Sequence, residues 1–186
     1  MKTELVQIVF FTFALVLAAA VQEMTPSFGG AKPPFLLLVA LAAAVRPDPV
    51  PPSGAAHRAK GRHHFGWLLV ALAAGVFADA LDELPFCCMA VFAVFACAAA
   101  RLAREAVLPL PGMLAGLVIG ALAAPCQEAW LNLWMPPGSA PAMVRFFASA
   151  PAAAAVGAVL FHYVPRIAGA IGLDGMQPTS GRSARP

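Results

Sequence analysis

Long apolar runs separated by short polar segments make up most of this chain. Five runs are long enough, with their flanks, to cross a bilayer, because roughly 20 apolar residues in a helix span about 30 Å of hydrocarbon. These runs are Leu5–Val21, Phe65–Leu84, Phe86–Ala103, Leu108–Trp134 and Val144–Val164. Pro151 interrupts the last run, and proline near one end of a membrane helix kinks it at tolerable cost. The pattern predicts an all-α polytopic membrane protein.

A sixth apolar segment, Pro34–Val45, is shorter. Its core, Phe35–Val45, is too short for a full upright crossing. The segment could recruit Phe28–Ala31, form a short helix shielded by its neighbours, or be re-entrant. We favour a short span, which predicts a bundle of about six (five to six) transmembrane helices.

The first run invites comparison with a signal peptide. Lys2 is a weak positive start, and a small-residue stretch near residue 20 offers a cleavage site. However, Leu5–Val21 is longer than the usual apolar region of a signal peptide, and every later run is also membrane-like. A retained membrane anchor is therefore the favoured interpretation.

The polar segments divide the chain into a transmembrane domain with one internal linker and a C-terminal tail. Residues 1–171 are expected to form a single transmembrane domain, and residues 172–186 a disordered cytoplasmic tail. Between the second and third runs, linker 46–64 is rich in proline and in basic residues, and is expected to be mobile.

Composition supports a membrane location. Apolar residues make up 61% of the chain and charged residues 11%, whereas soluble domains have about 45–50% and about 25%. Lipid is therefore the first expected partner. The net charge is only +3, and the chain has no long basic stretch with interleaved aromatic residues, so nucleic acid is not an expected partner.

The positions of Lys and Arg predict orientation, because these residues remain on the cytoplasmic side. With six spans and an inner N-terminus, ten of them lie inside and two, Lys32 and Arg145, outside. The inner ones are Lys2, Arg46, Arg58, Lys60, Arg62, Arg101, Arg104, Arg166, Arg182 and Arg185. A five-span model with an outer N-terminus scores equally. Both models place linker 46–64 and the C-terminus in the cytoplasm.

Asp79 is the most informative charge, since a carboxylate inside a span is costly and marks a candidate functional site. Asp82 and Glu83 follow it at helical spacing, so the three can share one face. That face would suit a cation or a proton. Alternatively, the acids mark the wetted outer end of the helix, which is the favoured interpretation for Asp82 and Glu83. For the deeper Asp79 both interpretations stay open.

Three glycines, Gly112, Gly116 and Gly120, recur every four residues in the fifth long run, and Ala124 continues the row. Such a row leaves a groove in which another helix can approach closely. It predicts a packing face, either inside the fold or towards a partner.

The remaining polar residues of the later runs are expected near the membrane interfaces. Trp130 and Trp134 suit the outer interface, and the neighbouring Glu128 is then expected to be wetted. His162 and Tyr163 lie near the inner end of the last run, where interfacial anchoring is favoured over a proton relay.

No catalytic, cofactor or metal site is expected from the sequence. The cysteines, Cys87, Cys88, Cys97 and Cys126, form no CxxC pair and are expected to be free, small apolar side chains. The chain has no HExxH, GxSxG or phosphate-loop motif.

One group of residues resembles the bacterial rod-shape-determining protein MreD family. A short span opening with Pro34-Phe35 precedes a basic linker, and the next span holds Gly75-x-x-x-Asp79. Pro85-Phe86 then opens a span that ends in Arg101 and Arg104. The chain departs from the family in its long proline-rich linker and at Cys87, where a glycine often follows Pro-Phe.

This resemblance implies a non-enzymatic, multi-pass protein of the bacterial cytoplasmic (inner) membrane. Such a protein binds an MreC-like partner and other elongation-complex proteins, and helps couple MreB filaments to peptidoglycan synthesis. The main alternative is a small transporter or a substrate-binding subunit like that of energy-coupling-factor systems. A membrane enzyme with an acidic site at Asp79, Asp82 and Glu83 is a weaker alternative, since no His, Ser or metal set supports it.

Overall fold

The structure, a computed structural model, describes residues 2–26, 32–45, 66–82, 87–103, 110–134 and 142–170. Within these ranges the chain forms six α-helices and no strands, so the all-α class is confirmed. The helices are α1 (Lys2–Met24), α2 (Phe35–Val45), α3 (Gly66–Leu81), α4 (Cys88–Leu102), α5 (Gly112–Trp134) and α6 (Ala142–Ala170). Linker 46–64, Glu83 and tail 172–186 lie outside the described residues.

Each predicted apolar run corresponds to one helix, and the ends of the helix differ from the predicted bounds by a few residues. The largest difference is in α6, which was expected over Val144–Val164 and runs from Ala142 to Ala170. It continues through Pro151, where an interruption was expected. Neighbouring contacts can hold a helix together across a proline that lacks its N–H.

Two helices are long and apolar enough to cross a membrane, namely α5 and the Phe147–Val164 part of α6. The other apolar stretches are shorter: Val9–Met24, Phe35–Val45, Gly66–Leu81 and Cys88–Leu102. The number of spans therefore stays a prediction.

Helix α2 lies at the centre of the bundle and contacts all five other helices. It has 11 residues, which at about 1.5 Å each is about 16 Å, roughly half the hydrocarbon thickness. Nine of its residues are buried, among them Leu38 and Ala40 with no exposed surface. Of the arrangements considered for this segment, the structure shows a short helix shielded by its neighbours.

Contacts at the helix ends show that successive helices alternate in direction. The last turns of α1, α3 and α5 lie beside the first turns of α2, α4 and α6. We call this the Asp79 end of the bundle. At the opposite end, the Arg101 end, the last turn of α2 meets Arg101 of α4, which stacks over Trp67 of α3.

Candidate functional site

Asp79 lies in the last turns of α3 and contacts the start of α4. Its Oδ1 accepts a hydrogen bond from the backbone N–H of Met89 at 2.7 Å, and its Oδ2 accepts one from Ala90 at 3.3 Å. The residue is only 7% exposed. Since the first N–H groups of a helix have no partner within it, and the N-terminus favours negative charge, Asp79 serves as the cap of α4.

Gly75 makes this contact possible. It lies one turn before Asp79, on the same side of α3, and faces the backbone of Met89 and Ala90. A Cβ at Gly75 would lie 2.7 Å from the Met89 carbonyl carbon and would overlap the backbone of Ala90. The Gly75-x-x-x-Asp79 element therefore both admits the first turn of α4 and caps it.

Helix α4 receives its cap from another helix because its own N-cap residue, Cys87, provides none. Cys87 has φ 69° and ψ 8°, and its side chain makes no capping hydrogen bond. This left-handed conformation favours glycine, because a Cβ crowds the following carbonyl oxygen. The cysteine at this position thus has a backbone conformation that suits glycine.

Both ends of α2 also receive a polar side chain from another helix. At its start, Gln22 Oε1 of α1 accepts a hydrogen bond from the Leu36 N–H at 3.5 Å. At its end, Arg101 of α4 donates to the Ala44 carbonyl, also at 3.5 Å, and lies 5.8 Å from the Trp67 ring centroid. The cation suits the negative end of the helix dipole.

Trp130 connects α5 to the same first turn of α4. Its indole Nε1–H donates to the Cys88 carbonyl at 3.1 Å, and its ring stacks on Phe92 with centroids 5.7 Å apart. The place of Trp130 at the outer membrane interface stays a prediction. In the structure Trp130 is half-buried and holds two helices together.

Glu128 is not wetted, contrary to the sequence-based expectation. It is 7% exposed, and the adjacent Gln127 is 8% exposed. The reason is register: Glu128 lies four residues beyond Ala124 and continues the glycine row. Arg145 of α6 is close enough to act on Glu128 electrostatically, and donates a 2.9 Å hydrogen bond to Asn132.

The glycine row packs inside the fold, against α6. Gly116 meets the backbone of Gly157, and Gly120 meets that of Ala153. At Gly112, a Cβ would lie 2.9 Å from the Phe161 carbonyl oxygen. The groove predicted from the sequence is therefore filled by α6 of the same chain.

The remaining candidate residues are Asp82, two residues of α6 and the four cysteines. Asp82 lies just beyond α3, half-exposed, and its N–H donates to the Ala78 carbonyl at 3.0 Å. His162 and Tyr163 contact each other edge to face, and Tyr163 is exposed. The four cysteines all lie in described segments and are free thiols. Among the described residues, no three His, Cys, Asp or Glu side chains are placed to hold a metal ion.

Gln22, Asp79, Arg101 and Trp130 each form a hydrogen bond to the backbone near the end of another helix. Asp79 was identified from the sequence as the deepest of three acids in an apolar run, but its hydrogen-bond partners on α4 could not be predicted. Gln22 and Arg101 were missed as caps. Comparisons of the chain with protein-family models, curated proteins and solved structures find no significant match.

Proposed function

We propose that the protein is a multi-pass scaffold of the bacterial inner membrane that acts in cell elongation and performs no chemistry itself. In this proposal it binds an MreC-like partner and helps couple MreB filaments to peptidoglycan synthesis. The cytoplasmic C-terminus and the six-span topology belong to the same proposal.

One observation supports this function best: two of the residues that carry the family resemblance, Gly75 and Asp79, meet the first turn of α4 at a single joint. Cys87, next after Pro85-Phe86, begins that turn. An acid whose oxygens both accept hydrogen bonds from a neighbouring helix has a structural role, as expected in a scaffold. In a transporter or an enzyme, the acid would be expected to face a pathway or a substrate.

Large apolar side chains on the outer faces of the helices support the membrane part of the proposal. Phe13, Leu69, Phe95, Leu122 and Phe147 are each more than 60% exposed. They come from α1, α3, α4, α5 and α6, whereas central α2 is buried. Apolar surface distributed in this way fits lipid better than water.

The transporter alternative requires a site for its solute. The cavity beside Gly75 and Ala78 has a volume of about 10 Å³, whereas small-molecule sites measure about 300–1,000 Å³. A solute would therefore need another site or another conformation of the bundle.

The proposal can be tested by complementation and capture in parallel. The tagged full-length protein is expressed in a rod-shaped bacterium depleted of its own MreD protein, and is purified from the same cells. We expect restored rod shape and co-purification of MreC, with an unrelated six-span protein carrying the same tag as the control. Round cells and no MreC, at a normal level of inserted protein, would refute the function.

A further inference from the structure

A small cavity lies where five helices meet near the Asp79 end, and two amide side chains line it. Gln22 comes from α1 and Gln127 from α5, and the other lining residues are apolar, among them Leu36 and Leu37 of α2. Gln22 is 3% exposed and Gln127 is 8% exposed. Two buried amides in an otherwise apolar cavity call for hydrogen-bond partners, because burying an unpaired amide is costly.

The two amides are incompletely bonded by the protein. Gln127 Oε1 is fully buried and receives no hydrogen bond from any described residue. Gln22 Oε1 lies 3.5 Å from the Leu36 nitrogen, which is long for such a bond. The cavity also adjoins the first turn of α2, where the Phe35 and Leu38 N–H groups donate to the Pro33 and Pro34 carbonyls.

The cavity volume fits one water. It is about 10 Å³, and a single water needs about 10–15 Å³ together with two to four polar partners. We propose that the cavity binds one water molecule, which donates to Gln127 Oε1 and hydrogen-bonds the amide of Gln22. The water links α1 to α5 beside the start of α2. This proposal does not depend on the cellular function.

A double-mutant cycle tests the bridge. Gln127→Met and Gln22→Met keep the approximate volume and remove the amide, and Leu122→Met, at an exposed position of α5, is the control. We expect Gln127→Met to lower the melting temperature of the full chain in nanodiscs by about 2–4 °C. The double variant should lose less than the sum of the two single losses, because the first substitution already releases the water.

Three results would overturn the proposal. One is a melting temperature raised by Gln127→Met, as expected when an orphan amide is replaced by an apolar side chain. Another is strict additivity of the two losses, which would mean that no bridge couples the glutamines. If Gln22→Met does not fold, NMR of the wild-type protein in bilayers tests the site instead. Magnetisation transfer from water should reach the side-chain amide of Gln127, and its absence refutes the site.

Discussion

The carboxylate of Asp79 on α3 accepts a hydrogen bond from the backbone N–H of Met89 on α4, with 2.7 Å between oxygen and nitrogen. The N-cap residue of α4, Cys87, offers no side-chain bond of its own. The start of α4 therefore depends on a residue from the preceding helix. This dependence gives Asp79 a structural role that explains why an acid is placed in an apolar run.

Replacing Asp79 should destabilise the protein, whereas replacing Asp82 should not. Asp79→Leu removes both hydrogen-bond acceptors from the first turn of α4. A lost helix cap costs about 0.5–2 kcal/mol and a hydrogen bond to a charged group contributes about 1.5–3 kcal/mol, so we expect the stability to fall by about 2 kcal/mol. For a chain of this length, that is a fall in melting temperature of about 4–8 °C. Asp82→Leu is the matched control, because Asp82 lies half-exposed beyond the helix. Equal effects of the two substitutions would contradict the capping role.

Cys87→Gly should raise stability. The residue has φ 69°, and a left-handed backbone conformation costs an ordinary residue about 1–2 kcal/mol. Glycine avoids this cost, but part of the gain in stability is lost because glycine also raises the conformational entropy of the unfolded chain. A gain of up to about 1 kcal/mol, or about 2–4 °C, is expected in a melting experiment. Cys87→Val should lower stability, because a β-branched residue tolerates this conformation poorly. If valine and glycine behave alike, the left-handed turn is not present in the protein.

Bulky side chains in the glycine row should lower the stability of the protein. Gly116→Leu forces α5 away from the Gly157 backbone, and overpacking typically costs about 1–3 kcal/mol. Gly157→Leu, on the opposite side of the contact, should cost a similar amount. Leu117→Ala is the control, since Leu117 is exposed on the same helix.

Thermal stability and MreC capture should be measured on the same samples of these glycine variants. Lowered stability is expected for both leucine substitutions. Unchanged stability with lost capture would instead place the glycine row at a partner, contrary to its contact with α6.

Orientation can be measured with reporters that are active only in the cytoplasm. Fused at Gly54 and at Gly181, such a reporter should be active at both positions, because ten of the twelve Lys and Arg residues then lie inside. An inactive but stably expressed fusion at either position would refute the topology.

Much of the fold could be predicted from apolar run length and spacing. Each run holds one helix, and the spacing of Gly112, Gly116 and Gly120 identified a packing face. The same spacing, extended through Ala124, leads to Glu128 and could have indicated that this acid is buried. Proximity to Trp130 suggested an interface instead, and the register of the helix proved the better guide.

The contacts between helices could not be predicted, because no local pattern specifies them. Gln22 and Arg101 lie near helix ends, where the sequence favours solvation or membrane anchoring. They cap α2 because that helix is short and enclosed, so its end groups must be satisfied by neighbours. Such pairings depend on the direction of each helix and on its depth in the bundle, and the spacing of residues in the sequence determines neither.

The amide proton of Met89 offers the most direct test of the claim that polar residues of this bundle cap helices across the interior. A hydrogen bond to a carboxylate moves an amide proton resonance downfield, and the shift can be measured by NMR in nanodiscs. We predict that the Met89 resonance moves upfield in Asp79→Leu and stays in place in Asp82→Leu. An unmoved resonance in Asp79→Leu, in a protein that remains folded, would contradict the account.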